Sequence, residues 1–243
     1  MSILSDGTSN AKTIKSDLAN IVEKFLKDYA GFEKTQTGIV YLAPASISGK
    51  NVCGSSSPAC RKACLYTAGR GRMSNVQQGR LRKTMLFLKE RKEYFNQLNK
   101  DIEKLKRKSV KNNALTCIRL NGTSDLPYQN IKQGANNQSI IQDHKDVQFY
   151  DYTKDWNRKP KTSNYHLTYS KSELHTESDV QEMVAKGNNV AVVFRDKLPK
   201  TYAGHTVFNG DDTDLRFLDP KGVIVGLKAK GEAKKDVSGF VVD

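Results

Sequence analysis

Cys53, Cys60 and Cys64 sit within the stretch "CGSSSPACRKAC", so three of the chain's four cysteines are spaced C-x6-C-x3-C in a 243-residue protein. A disulfide uses two thiols, a structural zinc usually takes four ligands, and a nucleophile needs one. Three thiolates match three corners of a [4Fe–4S] cluster whose fourth iron stays open to a ligand, or a zinc with three protein ligands and water. Thiols that hold no metal are the third reading. A structural zinc would need a fourth donor, such as Cys117 or a histidine. Ser57-Pro58 has the form of an N-cap followed by proline at the first helical position. It predicts a short helix with Cys60 and Cys64 four residues apart on one face, near an N-terminus whose N–H groups favour thiolate.

Other polar residues follow apolar runs further along. "NGTSD" pairs a glycine that lets the backbone approach a ligand with a carboxylate, so Asn121, Gly122, Ser124 and Asp125 are candidates for cofactor binding. The same residues also suit a turn that caps the next element. "TKDWNR", "SKSELH", the single Arg195 and "NGDDTD" occupy equivalent positions. Asp125, Lys154, Arg195, Asp211 and Asp214 are the candidate catalytic groups. Asp211, Asp212 and Asp214 offer oxygen donors for a divalent cation, although such turns also occur without metal. His166, His175 and His205 are possible ligands or acid–base groups, and Tyr152 and Trp156 can stack on a ring or pack in the core.

The elements that must position these groups alternate. "GIVYLAP" (38–44) reads as the first strand, and the cysteine loop 53–64 follows it. Leu81, Met85, Leu88, Phe95, Leu98, Ile102 and Leu105 recur with helical spacing and predict a long helix over 74–108. Strands are expected at 114–120, 147–153, 165–170, 189–194, 205–209 and 222–227, with a helix at 178–185 capped by Ser178. Such alternation predicts an α/β chain with mostly parallel strands, as a partial or irregular β/α (TIM-like) barrel in a single domain. A doubly wound open sheet is the alternative. Both put the site at the carboxyl ends of the strands. Residues 1–35 read as a polar lead-in with one amphipathic helix over Leu18, Ile21, Val22 and Phe25, and 36–243 as the β/α unit.

The formal charge is +14, yet residues 61–111 alone hold 16 Lys and Arg against 4 Asp and Glu, so the basicity is local. A basic helix of this kind suits a phosphate-bearing partner, nucleic acid or nucleotide, as well as plain solvation. No apolar run is long enough to cross a bilayer, and the first residues lack a secretory layout, which leads us to expect a cytoplasmic protein with reduced thiols and no membrane partner. Reduced, clustered thiols favour metal over disulfides.

"NVCGSSSPACRKACLY", "IRLNGTSDL", "VQFYDYTKDW" and "VIVGLKAKGEAKKDVSGFVV", in that order, resemble the phage "gene product 88" family over most of 38–243. The resemblance implies a virus-encoded protein made in a bacterial cytoplasm, and it implies no reaction. The order of strand, three-cysteine loop, helix, strand and polar turn is also similar to radical S-adenosylmethionine enzymes. That likeness implies a [4Fe–4S] cluster on Cys53, Cys60 and Cys64, with Asn121, Ser124 and Asp125 steadying S-adenosylmethionine. Those enzymes use C-x3-C-x2-C and a glycine-rich acidic motif, from which this chain departs. Two further functions fit the residues: a zinc- or magnesium-dependent nucleic-acid hydrolase using Asp211 and Asp214, and a non-enzymatic protein binding nucleic acid or a host factor.

Overall fold

In a computed structural model, residues 1–7, 34–134 and 136–243 are described. The helix expected around Leu18–Phe25 lies outside them. Twelve strands are present: β1 (Leu4–Asp6), β2 (Lys34–Val40), β3 (Ala114–Arg119), β4 (Lys132–Gln133), β5 (Gln138–Ser139), β6 (Gln148–Thr153), β7 (Tyr165–Ser170), β8 (Val190–Phe194), β9 (Thr201–Tyr202), β10 (His205–Asn209), β11 (Ile224–Lys228) and β12 (Val241–Val242). The α-helices are α1 (Ala45–Ser48), α2 (Pro58–Lys62), α3 (Ser74–Lys89), α4 (Arg91–Lys111), α5 (Ile140–Asp143) and α6 (Glu177–Ala185).

Ten of the strands form one sheet in the order β1-β2-β3-β6-β7-β8-β11-β10-β9, with β12 added beside β8. Seven neighbours, β2 through β10 in that order, are parallel. β1 and β9 pair antiparallel at the two ends. Runs such as "ALTCIR" and "VAVVF" are nearly continuously apolar because parallel strands are covered on both faces. The sheet is mostly parallel, as expected, and it does not close into a barrel: β1 and β9 remain its end strands among the described residues.

Side chains alternate between the faces of a strand. On the outer face, Tyr94, Phe95, Leu98 and Ile102 of α4 share one core with Val40, Ile118, Phe149 and Leu167. On the inner face, the registers align Thr37 and Ile39 of β2 with Cys117 and Arg119, Cys117 with Gln148, Tyr150 and Tyr152 with His166 and Thr168, and Ala191 and Val193 with Val225 and Leu227. The segment after β10 plugs the lower part of this face, where Leu215 and Leu218 pack on Leu115, Cys117 and Tyr150. Cys117 is therefore a fully buried core residue.

Several expected boundaries move. The helix expected over 74–108 is two helices, broken at Glu90, whose backbone leaves the helical region (φ −133°, ψ 56°). α2 ends at Lys62, so Cys64 lies beyond it and does not stack over Cys60 on one helix face. Ser57 does cap α2, accepting from the Cys60 N–H at 3.2 Å. For α6 the cap is Thr176, not Ser178: its hydroxyl accepts from the Asp179 N–H at 3.2 Å while the Asp179 carboxylate accepts from the Thr176 N–H at 2.7 Å. This reciprocal pair satisfies two helix-terminal donors that Ser178, already the second residue of the helix, cannot reach. No helix covers the β6–β7 crossover, which is an irregular loop.

Candidate functional site

A cavity of about 410 Å³ opens at the carboxyl ends of the strands. Its lining includes Tyr41 after β2, Arg119 of β3, Tyr152 of β6, Ser170 of β7, Val193 of β8, Leu227 of β11 and Gly210 after β10. Seven parallel strands at about 4.8 Å spacing would span roughly 29 Å if flat. One cavity of this size can touch all seven only because the sheet curls around it.

Cys53, Cys60 and Cys64 all line this cavity. The loop that carries them is fastened at two places. The Asp125 N–H donates to Val52 O at 2.9 Å, and the Glu173 carboxylate accepts from the Ser57 hydroxyl at 2.6 Å and the Ala59 N–H at 2.9 Å. Burial pushes the Cys53 thiol up to about 12, with Cys64, Asp125 and Cys60 adding to the shift and Lys154 opposing it. Burial also raises Cys60, against the pull of the adjacent Lys154 ammonium, which hydrogen-bonds it. Desolvation thus outweighs the N-terminus of a helix of five residues, which by itself would favour thiolate. Among the described residues, no group of three or more His, Cys, Asp or Glu side chains is already arranged to hold a metal ion. Replacing Glu173 with alanine removes two charge-assisted hydrogen bonds, each worth about 1.5–3 kcal/mol. It should loosen the loop, read as faster alkylation of Cys60 by iodoacetamide; an unchanged rate would exclude Glu173 as the clamp.

The "NGTSD" turn also reaches the cavity, through Asn121, Gly122, Ser124 and Asp125. Its polar groups are largely occupied in building the turn. Asn121 Oδ1 accepts from the Leu126 N–H and the Ser124 hydroxyl, both at 2.8 Å, and its Nδ2 donates to Leu126 O and to Asp151. Asp151, fully buried, accepts from the Asn121 N–H at 2.6 Å and the Tyr165 hydroxyl at 3.0 Å. The Asp125 carboxylate accepts from Arg158 at 2.7 Å and the Lys154 N–H at 2.9 Å. Gly122 donates its N–H to Val40 O, and a Cβ there would stand 2.7 Å from that oxygen and from the Tyr41 ring, so only glycine fits. Asn121, Ser124 and Asp125 thus shape the wall more than they offer unfilled valences.

Asp211 and Asp214 line the opposite wall, each tied to a cation. Asp211 pairs with Lys230 at 2.6 Å, and Asp214 takes Arg119 on both oxygens at 2.9 and 3.1 Å. The Arg119 guanidinium also lies over the Tyr152 ring, 4.7 Å from its centroid. The two carboxylates are neutralised separately and do not converge on a shared cation site. Arg195 is not brought to the cavity. It lies at the end of β8, bonded to the Asp243 carboxylate and to the carbonyls of Lys234 and Asp236, and it fastens the last segment of the chain.

The histidines and Trp156 also lie outside the cavity lining. Trp156 stacks on His175 (centroids 3.9 Å apart) and donates to Ser170 O. His166, lowered to about 4 by burial and by Arg216, faces the lower inner core, and His205 starts β10 at the opposite end of the sheet. Tyr41, Lys228 and Phe240 line the cavity without having been site candidates, and Arg119 and Lys171, which lie in "IRLNGTSDL" and "SKSELH", had no role assigned. Arg119 and Lys171 were accessible to the strand-end rule, as the last residue of β3 and the first after β7. Tyr41 and Phe240 look apolar in sequence and gain a role only from the curl of the sheet.

Fold and site together define an α/β protein with a cysteine-rimmed cavity at its strand ends. The chain belongs to the Gene product 88 family, which matches residues 3–243. No curated protein and no solved structure matches it. No helix among the described residues is long and apolar enough to cross a membrane.

Proposed function

We propose that this protein is an enzyme whose reaction takes place in the strand-end cavity, with Cys53, Cys60 and Cys64 holding a [4Fe–4S] cluster. The supporting observation is that three thiols from one clamped loop border the same cavity as the carboxyl ends of seven parallel strands. The donor set suits a centre with an open position: Cys117 is buried in the core away from the cavity, and no histidine lines it, so a four-ligand structural zinc lacks its fourth partner. The one-directional order of β2, β3, β6, β7 and β8 beside the cavity supports reading the sheet as a partial β/α barrel. When bound, such a cluster supplies an electron to a ligand on its open iron, for which S-adenosylmethionine is the candidate.

The chain's own groups then have definite tasks. Lys154, beside Cys60, supplies positive charge against the thiolates. Asn121 and Asp125 hold the turn under the cysteine loop, while Tyr41, Arg119 and Tyr152 form the floor against a substrate. A hydrolase centred on Asp211 and Asp214 is the weaker reading, because Lys230 and Arg119 already neutralise those carboxylates.

Anaerobic purification should give a brown protein with about four irons and four sulfides per chain, and Cys60→Ala should abolish the colour. A colourless protein carrying one zinc, or a Cys60→Ala variant with full iron content, would end this reading.

A further inference from the structure

The basic residues of 61–111 do not form one face. α4 runs away from the cavity: Lys106 pairs with Asp146, which precedes β6, at 2.8 Å, and Lys108 pairs with Asp6. The last turns of α4 therefore lie at the amino ends of the strands. The 21 residues of α4 span about 30 Å at 1.5 Å per residue. Only the first part of the basic segment stays at the cavity mouth.

There it meets a second basic segment, distant in sequence. Residues 65–67 pack against 231–235, and a Cβ on Gly231 would sit 3.5 Å from the Ala68 side chain. Leu65 and Lys228 line the cavity, while Arg61 reaches the backbone of Ser56, another lining residue. Arg61, Arg70, Arg72, Lys228, Lys234 and Lys235 are all exposed around this seam. Lys235 has one solvent-exposed carboxylate partner, Glu232 at 3.3 Å, a pair of little energetic weight. Lys62 and Lys230 are left out of this set, Lys62 because it shares a hollow with Glu173 and Asp236, Lys230 because it pairs with Asp211. Two exposed apolar side chains, Leu65 (52%) and Met73 (51%), stand on the same segment as the arginines.

From this juxtaposition we infer that the seam between residues 61–73 and 228–235 binds a single-stranded nucleic acid, with its phosphates along the cations and one nucleotide directed into the cavity. Cations on both sides of a seam, with exposed apolar side chains on one of its segments and a cavity alongside, suit a strand whose bases are unstacked. A duplex keeps its bases inside and would leave Leu65, Met73 and the cavity without a role. This assigns the substrate class of the proposed enzyme; only the fate of the docked nucleotide rests on that earlier reading.

The test is fluorescence anisotropy with a labelled single-stranded oligonucleotide, its duplex, and vesicles of phosphatidylcholine with phosphatidylserine. Arg70→Gln with Arg72→Gln, and separately Lys228→Gln with Lys234→Gln, should each weaken strand binding at least about tenfold and lower the salt slope by about 1.4, from roughly 0.7 per phosphate contact. Lys104→Gln with Arg107→Gln, at the far end of α4, should change affinity less than about twofold, since those charges lie beyond a Debye length. Equal losses from the far pair, equal affinity for duplex, or tighter binding to the vesicles would each overturn the inference. The Arg70→Gln with Arg72→Gln variant should keep the iron content of the wild type, so loss of docking and loss of the metal centre are separately readable.

Discussion

Arg158→Ala is expected to destabilise the protein by about 3–5 kcal/mol, the range for removing one partner of a buried ion pair and leaving the other charged and dry. Asp125 and Arg158 are 9% and 7% exposed and meet at 2.7 Å, and Arg158 also donates to Asp125 O at 3.2 Å. The effect should exceed that of any surface pair in this chain, such as Lys186–Glu182, where both side chains are exposed. Urea unfolding at constant m would measure it, and a loss under about 1 kcal/mol would show that the pair is not a keystone. The double variant Asp125→Asn with Arg158→Leu should recover part of the loss, because no isolated charge remains. The single variant should also loosen the cysteine loop. Asp125 anchors Val52, next to Cys53, and the Cys53 thiol lies 3.8 Å from Thr123 O in the same turn.

The second large effect concerns Asp151 and pH. Burial pushes its carboxyl up to about 7, against the lowering influence of the Asn121 N–H, Arg119 and Tyr165. In the unfolded chain it titrates near the usual value of 3.8. Between these values the native state binds the proton more tightly, so this group's contribution to stability is fully present below about pH 4 and is lost as pH rises through about 7. At about 1.4 kcal/mol per unit the loss approaches roughly 4 kcal/mol. Asp151→Asn removes the titration and also one hydrogen bond, because an amide has a single oxygen: with it facing Asn121 Nδ2 and the Tyr165 hydroxyl, its NH2 group meets the Asn121 N–H. The variant should therefore be the less stable protein at pH 5, with the gap narrowing or reversing by pH 8. Asp219, raised to about 7 by burial despite Arg216, acts in the same direction in both proteins and cancels in the comparison. Parallel stability curves for wild type and variant would refute the assignment.

These two residues also mark how far reading the chain alone could go. Asp125 was accessible as a carboxylate in a glycine turn after a strand, and it does reach the cavity, but its partner Arg158 lies 33 residues away and turns a candidate catalytic group into an anchor. Asp151 sits inside "VQFYDYT", where alternation marks only a strand residue; its network with Asn121 and Tyr165 exists because β3, β6 and β7 are neighbours. Arg195 stood after a strand like the others, yet β12 beside β8 captures it. The basic helix looked like one electrostatic surface, and a break at Glu90 and the direction of α4 divide it.

Near neighbours in the chain determined where β3, β6, β7, β8, β10 and β11 run, that Ser57 caps α2, that three thiols lie on one loop after the first parallel strand, and that polar residues gather where strands end. Period-two and period-3.6 patterns and capping are local, so they survive without knowledge of partners. The tertiary structure decided which strand ends share a cavity, which carboxylates are neutralised, and that residues 65–67 meet 231–235 beside that cavity while Lys106 pairs with Asp146 at the amino ends of the strands. Charge pairing and curvature depend on distances between residues far apart in the chain, and those distances are set only when the sheet has curled.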